Sequence, residues 1–123
     1  MPQLKILVVD DNRDFADSLV DILQLEGHRV SYVYTAEDAL LKAFESPFDI
    51  IFIDLKLDNV YGTEIAKKIS AKSPQTKIVI MTGFCEDEKL KEALAQGIDK
   101  ILYKPFKINE ILQIVKSFTI KDT

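Results

Sequence analysis

Residues 50–54 read Ile-Ile-Phe-Ile-Asp, four apolar side chains followed at once by a carboxylate. A short, continuous apolar run of this kind is typical of a strand that is covered on both faces, as in a parallel sheet. Comparable apolar segments occur at intervals along the chain. The five predicted strands are Leu4–Val9, Val30–Tyr34, Ile50–Ile53, Ile78–Met81 and Ile101–Tyr103. Asp54 is therefore predicted to stand at the end of a buried strand.

Segments with the helical period of apolar residues alternate with these strands. Gly27 is predicted to end the first helix and Thr35 to precede the second, since glycine suits helix ends and threonine caps helix starts. The five predicted helices cover residues 15–26, 36–46, 61–71, 86–96 and 108–118. This alternation predicts an α/β fold, a doubly wound (βα)5 with a five-stranded parallel sheet and helices on both faces.

Composition sets limits on the kind of protein. The 123 residues are enough for one domain, and a net charge of −4 with interspersed signs argues against a basic nucleic-acid footprint. Cys85 is the single cysteine, so an intramolecular disulfide is excluded. No apolar run approaches the ~20 residues that span a bilayer, and the N-terminus does not resemble a signal peptide. We predict a cytoplasmic protein that binds neither membranes nor nucleic acid directly.

Polar side chains directly follow four of the predicted strands. These are Asp10 and Asp11, then Asp54, Thr82 and Lys104. The carboxyl ends of parallel strands meet at one edge of the sheet, so these groups are expected to converge there. Two carboxylates ~4 Å apart repel by roughly 4 kcal/mol at an effective dielectric constant of ~20, so three of them favour a bound cation. Hard oxygen ligands suit Mg²⁺, or Mn²⁺ in its place, and no histidine or cysteine pair has the spacing of a zinc site.

Asp54 is the predicted nucleophile of this cluster. A carboxylate can attack phosphorus and form an acyl phosphate, while a metal ion, an ammonium group and a hydroxyl neutralise the phosphoryl group. Each residue alone has an ordinary alternative. Residues 10–12 could simply cap the first helix, Thr82 could begin a turn, and a lysine before a proline carries no specific meaning. Together, at four successive strand ends, these residues favour a chemical site over the ordinary alternatives.

The chain resembles the receiver domain of two-component response regulators over almost its whole length. The segments that carry the resemblance are Val8-Val9-Asp10-Asp11-Asn12, Ile53-Asp54-Leu55, Gly62, Met81-Thr82-Gly83, Ala93 to Gly97, and Lys104-Pro105-Phe106. The resemblance implies that residues 1–123 form a single receiver domain. It also implies a flavodoxin-like fold with the strand order 2-1-3-4-5.

The resemblance assigns expected roles to the polar cluster. Asp54 would be the phosphoacceptor, and a sensor histidine kinase or phosphotransfer protein would be the donor. Asp11, Asp54 and the backbone carbonyl of Lys56 would bind Mg²⁺ directly, and Asp10 would act mainly through water.

Further expected roles concern the phosphoryl group. Thr82 would donate a hydrogen bond to it, Lys104 would pair with it, and the Lys104–Pro105 peptide bond would be cis. Phe84 is predicted to shield the acyl phosphate from water. Lys56 occupies the other position that influences access of water.

Two positions depart from the family pattern. Asp58 stands where a proline is common, which predicts a more mobile loop before the third helix. Ile101 stands where a switching aromatic residue is usual, and we hypothesise that Tyr103, on the same strand face, supplies part of that aromatic surface. His28 follows a turn glycine and is predicted to be a surface residue without a role. Cys85 is also expected to have no role.

The predicted function is a phosphorylation-driven switch, which catalyses only its own phosphorylation and dephosphorylation. The resemblance implies that its signal would leave through the surface of the fourth helix, fifth strand and fifth helix. The partner would be a downstream protein or an output domain, such as one for transcription regulation, and a phosphorylation-dependent homodimer is one option. Two alternatives are a phosphohydrolase, which Lys56 argues against because a second acid is expected there, and a degenerate receiver that acts by binding alone.

Overall fold

The computed structural model describes residues 3–58, 60–83 and 98–119. In chain order the elements are β1 (Lys5–Val9), α1 (Arg13–Leu25), β2 (Arg29–Val33), α2 (Ala36–Glu45), β3 (Ile50–Asp54), β4 (Lys56–Leu57), β5 (Val60–Tyr61), α3 (Gly62–Lys72), β6 (Lys77–Thr82), β7 (Lys100–Tyr103) and α4 (Ile108–Thr119). The helix predicted at residues 86–96 lies outside the described residues, as does Cys85. The fifth predicted helix, at residues 108–118, therefore carries the label α4 here.

Five of the strands form one parallel sheet, in the order β2-β1-β3-β6-β7. This is the predicted order 2-1-3-4-5, because β6 and β7 are the fourth and fifth strands of that sheet. All five predicted strands are confirmed, with ends that differ by one residue. The strands β4 and β5 form a separate antiparallel hairpin that was not predicted.

The sheet is buried on both faces, as its apolar runs indicate. The helices α1 and α4 pack on one face, and α2 and α3 pack on the other. Successive strand residues point to opposite faces, so Val8 packs against α1 while Leu7 lies in the cluster beneath α2 and α3. Each fully buried aliphatic side chain contributes about 1.5–3 kcal/mol to folding. Within the described ranges, no helix is both long enough and apolar enough to cross a membrane.

The two predicted helix signals are confirmed. The hydroxyl of Thr35 accepts a hydrogen bond from the backbone N–H of Asp38 at 3.1 Å, and Gly27 adopts a φ of +92° just after α1. At the start of α1 the capping side chain is Asn12, whose Oδ1 accepts from the N–H of Phe15 at 3.2 Å. The capping alternative thus applies to Asn12, and the carboxylates of Asp10 and Asp11 do not cap α1.

The prediction that His28 is a surface residue is wrong. The residue is only 6% exposed, and its Nδ1 accepts a hydrogen bond from the backbone N–H of Leu4 at 3.1 Å. The turn at Gly27 brings His28 back against the start of β1, where that N–H lacks a partner within the sheet ladder. Burial lowers the pKa of His28, and the charge of Glu26 opposes this only in part. The neutral imidazole is therefore the form that joins β1 to the end of α1.

Candidate functional site

The predicted strand-end residues lie together at the carboxyl edge of the sheet. Asp10 directly follows β1, Asp54 is the last residue of β3, Thr82 ends β6, and Lys104 directly follows β7. These four residues reach one edge because their strands are parallel and adjacent. Asp10 and Thr82 are buried, and Asp54 is partly buried.

Lys104 joins the ends of two central strands. Its ammonium nitrogen Nζ lies 3.0 Å from Oδ2 of Asp10 and 3.0 Å from Oδ1 of Asp54. Its backbone N–H donates to the carbonyl of Thr82 at 2.7 Å, and the Lys104–Pro105 peptide bond is cis, as the resemblance implies. The lysine thus brings one positive charge between two carboxylates.

Three carboxylates lie close enough to share a cation. Asp10, Asp11 and Asp54 each have an oxygen within 4.8 Å of the others. Opposite ligands of an octahedral Mg²⁺ are ~4.2 Å apart, since each bond is about 2.1 Å. Asp11 is exposed, and its Oδ2 accepts a hydrogen bond from the N–H of Asp58 at 3.3 Å. The donor set and its spacing therefore fit a hard divalent cation.

Burial changes the acidity of the central pair. Burial raises the pKa of Asp54 above its ordinary value, and the charge of Asp10 raises it further. The hydrogen bond from Lys104 lowers that pKa but only in part, so the net change is upward. Burial by itself lowers the pKa of Lys104, but the hydrogen bonds to Asp54 and Asp10 outweigh that, so its pKa is raised. The lysine is therefore an ammonium group at neutral pH, beside an unusually basic carboxylate.

An aromatic contact at this site was not predicted. The Nζ of Lys104 lies over the ring of Phe15, 4.1 Å from its centroid. The ring of Phe106 packs edge-to-face on Phe15, with centroids 5.1 Å apart and planes at 67°. The available sequence signal was the position of Phe15 in the first turn of α1, close behind the two aspartates.

The start of α3 packs directly against the end of β3. A Cβ built on Gly62 would lie 2.1 Å from the backbone oxygen of Asp54 and 2.8 Å from Cγ2 of Ile53. The N–H of Gly62 donates to the carbonyl of Leu55 at 2.7 Å. Glycine is therefore required here by the close approach of two backbone segments.

The segment between β3 and α3 forms the β4–β5 hairpin. Asp58, in its turn, has a φ of +39°, a left-handed conformation that aspartate tolerates better than most residues. Lys56 lies exposed in β4, and the role of its carbonyl stays a prediction, as does the mobility expected from Asp58.

The predicted switch residues lie beside Thr82 on β7. Tyr103 is the register neighbour of Thr82 and Ile101 that of Ile80, so Tyr103 and Ile101 share the sheet face of Thr82. Ile101 is half-buried against the α2–α3 face, whereas Tyr103 is 42% exposed. Phe84 lies outside the described residues.

Comparison with known proteins gives a consistent family. Residues 6–116 match the family model described as response regulator receiver domain. A response regulator receiver protein of Anaeromyxobacter sp. (strain Fw109-5) is 30% identical over 110 residues, which cover 89% of this chain and 46% of that protein. A CheY-like response regulator receiver domain protein from Methanospirillum hungatei JF-1 superposes with a TM-score of 0.90 at 31% identity, covering 94% of this chain and 93% of that one.

A third relative carries ligands at a comparable level of similarity. The structure of a response regulator from Burkholderia pseudomallei with a phosphorylated aspartic acid, a calcium ion and citrate has a TM-score of 0.84 at 28% identity, covering 94% of this chain and 72% of that one. The present chain spans about half or less of the curated relatives it matches, from 24% to 51% of their length. The chain belongs to the family of response regulator receiver domains.

Proposed function

We propose that Asp54 accepts a phosphoryl group from a phosphohistidine of a sensor histidine kinase or phosphotransfer protein. One observation carries this proposal: the ammonium of Lys104 lies 3.0 Å from the Asp54 carboxylate and is held there by Asp10 as well. A fixed positive charge beside the acceptor offsets the negative charge of the arriving phosphoryl group. The raised pKa of Asp54 supports its role, because a more basic carboxylate is a better nucleophile while ionised.

The reaction exchanges one bond to phosphorus for another. An oxygen of Asp54 attacks the phosphorus, the bond between phosphorus and the imidazole nitrogen breaks, and that nitrogen keeps the electron pair. The product is an acyl phosphate on Asp54 and a neutral histidine on the donor. Thr82 and Lys104 hold the phosphoryl oxygens. Hydrolysis by water later returns the aspartate and inorganic phosphate, so the domain turns over no separate substrate.

Asp11, Asp54 and the backbone carbonyl of Lys56 would hold Mg²⁺ or Mn²⁺, with Asp10 acting through water. Such an ion supplies neutralising charge to the phosphoryl oxygens when it is bound. The support is the close spacing of three carboxylate oxygens in the structure. The Burkholderia relative, with its phosphorylated aspartic acid and calcium ion, points to the same chemistry.

Phosphorylation would alter partner binding through β7, α4 and the predicted helix at residues 86–96. Tyr103 is proposed to report the change, because it lies next to Thr82 in register and is partly exposed. The partner is a downstream protein, an output domain or a second copy of the chain, acting in the cytoplasm. Phe84 would lengthen the lifetime of the acyl phosphate, so Phe84→Ala should lose phosphate faster than the wild type.

Incubation with phosphoramidate and Mg²⁺, followed by intact mass spectrometry, tests the proposal. We expect a gain of one phosphoryl group that disappears in Asp54→Asn and on chelation of the metal. Continuous release of inorganic phosphate at an enzymatic rate would instead indicate a phosphohydrolase. An unmodified wild-type protein would indicate a receiver that acts by binding alone. Either of the last two results overturns the proposal.

A further inference from the structure

Among the described residues, the ammonium of Lys104 makes three contacts, and carboxylates provide two of them. Its Nζ lies 3.0 Å from Asp10 and 3.0 Å from Asp54, and the third contact is the face of the Phe15 ring at 4.1 Å. Phe15 is itself held, because the ring of Phe106 packs on it edge-to-face. The lysine side chain is 24% exposed, so water still competes for its ammonium group.

We propose that Phe15 is a positioning residue for phosphoryl transfer, which holds the Lys104 ammonium in the site by a cation–π contact. This inference rests on the proposed function of Asp54. A lysine side chain has four rotatable bonds and loses much conformational freedom when its end is fixed. A ring beneath the ammonium lowers the cost of fixing it, because the negative face of the π system attracts a cation.

The ring suits this role better than a third polar partner would. When a phosphoryl group joins Asp54, the Lys104 ammonium must donate to phosphoryl oxygens. A third carboxylate would compete for those N–H groups and add negative charge where the phosphoryl group arrives. The Phe15 ring accepts no strong hydrogen bond and carries no net charge. It therefore retains the ammonium group while leaving its N–H donors to the phosphoryl group.

Phe106 extends the same arrangement by one layer. Its ring contacts Phe15, and it lies only two residues beyond Lys104 in the chain. The segment that carries the lysine thus also carries the ring that supports Phe15. Phe106→Leu is expected to weaken the positioning less than Phe15→Leu does, because Phe106 acts through Phe15.

Graded fluorination of the Phe15 ring separates a cation–π role from a packing role. Mono-, di- and trifluorophenylalanine, introduced at this one codon, withdraw charge from the ring face with little change in size. We expect the rate constant for phosphorylation by phosphoramidate and Mg²⁺ to fall stepwise, by about three- to tenfold at three fluorines. Phe15→Tyr should retain most of the phosphorylation rate, and Phe15→Leu should lose most of it.

The chain offers a matched control in a second cation–π pair. The Nζ of Lys72, at the end of α3, lies 4.7 Å from the ring centroid of Phe44 on α2, away from the site. Fluorinating Phe44 should leave the rate unchanged. A readout without phosphorylation is the proton NMR shift of the Lys104 ε-methylene, which the Phe15 ring current should move upfield and Phe15→Leu should restore.

The outcomes distinguish this inference from the proposed function. If wild type is phosphorylated on Asp54 but the rate is flat across the fluorinated Phe15 series, the positioning role is refuted. An equal fall for Phe15 and Phe44 refutes it too. A wild-type protein that phosphoramidate never modifies refutes the proposed function, and the Lys104 methylene shift still decides whether the ring contacts the ammonium.

Discussion

Gly62→Ala tests whether the first residue of α3 packs too closely against the end of β3 to accept a side chain. Elsewhere in a helix, alanine in place of glycine stabilises a protein by roughly 0.5–1 kcal/mol. At Gly62 the new Cβ would lie 2.1 Å from the backbone oxygen of Asp54 and 2.8 Å from Cγ2 of Ile53. Carbon and oxygen in favourable contact stay about 3.3 Å apart, so α3 and β3 must separate locally by about 1 Å. Replacing Gly62 with alanine is therefore expected to destabilise the protein instead of stabilising it.

The expected loss in the free energy of unfolding is about 3 kcal/mol. Overpacking a dense core costs about 1–3 kcal/mol, and the upper end applies because a backbone oxygen cannot rotate away. Urea denaturation followed by circular dichroism measures the change, provided the m-value is unaltered. Gly83→Ala is the matched control, since none of the residues that the structure describes lies within 4 Å of its Cβ position, and it should change stability by less than about 0.5 kcal/mol. A Gly62→Ala protein as stable as wild type would refute the argument.

Three further predictions concern charge. Asp54→Asn should raise the free energy of unfolding near pH 7 without metal. The raised pKa of Asp54 means that its ionised form costs stability once the pH has risen through that pKa; a lower urea midpoint for Asp54→Asn would contradict this. Mg²⁺ at about ten times its Kd should add about 1.4 kcal/mol, seen as a higher Tm, and Asp11→Asn should abolish most of that gain. The lowered pKa of His28 implies a contribution to stability that is present above pH ~6.5 and lost as the pH falls through the folded-state pKa, so wild type should lose more stability than His28→Gln between pH 7 and pH 5. Equal losses in the urea midpoints of the two proteins would show that the His28 imidazole is not the cause.

The sheet could be predicted because its signal is local. Strands such as β1 and β3 are runs of buried Ile, Val, Leu and Phe, and this pattern depends only on both faces being covered. Asp10, Asp54, Thr82 and Lys104 could be predicted as a cluster for the same reason, since each follows or ends a strand and parallel strands share an edge. The family resemblance added the order of the strands and the cis bond before Pro105.

The features that were missed depend on long-range contacts or on very short elements. The strands β4 and β5 have two residues each, too few for any periodicity to be read. His28 was assigned to the surface because it follows a turn glycine, but its acceptor role depends on Leu4, 24 residues away. The contact of Phe15 with Lys104 joins α1 to the residue after β7; the position of Phe15 behind the two aspartates places it near the site, but no spacing in the sequence indicates that it contacts Lys104.

The ion pairs of Lys104 with Asp10 and Asp54 join distant parts of the chain and therefore depend on folding. Its partners Asp54 and Asp10 lie 50 and 94 residues earlier in the chain. Contacts of such separation carry a large loop-closure entropy, which must be overcome before they form. A nascent or partly unfolded chain would hold the acceptor carboxylate without its ammonium neighbour. If Asp54 is the phosphoacceptor, as proposed, the ability to receive phosphate therefore depends on the completed fold.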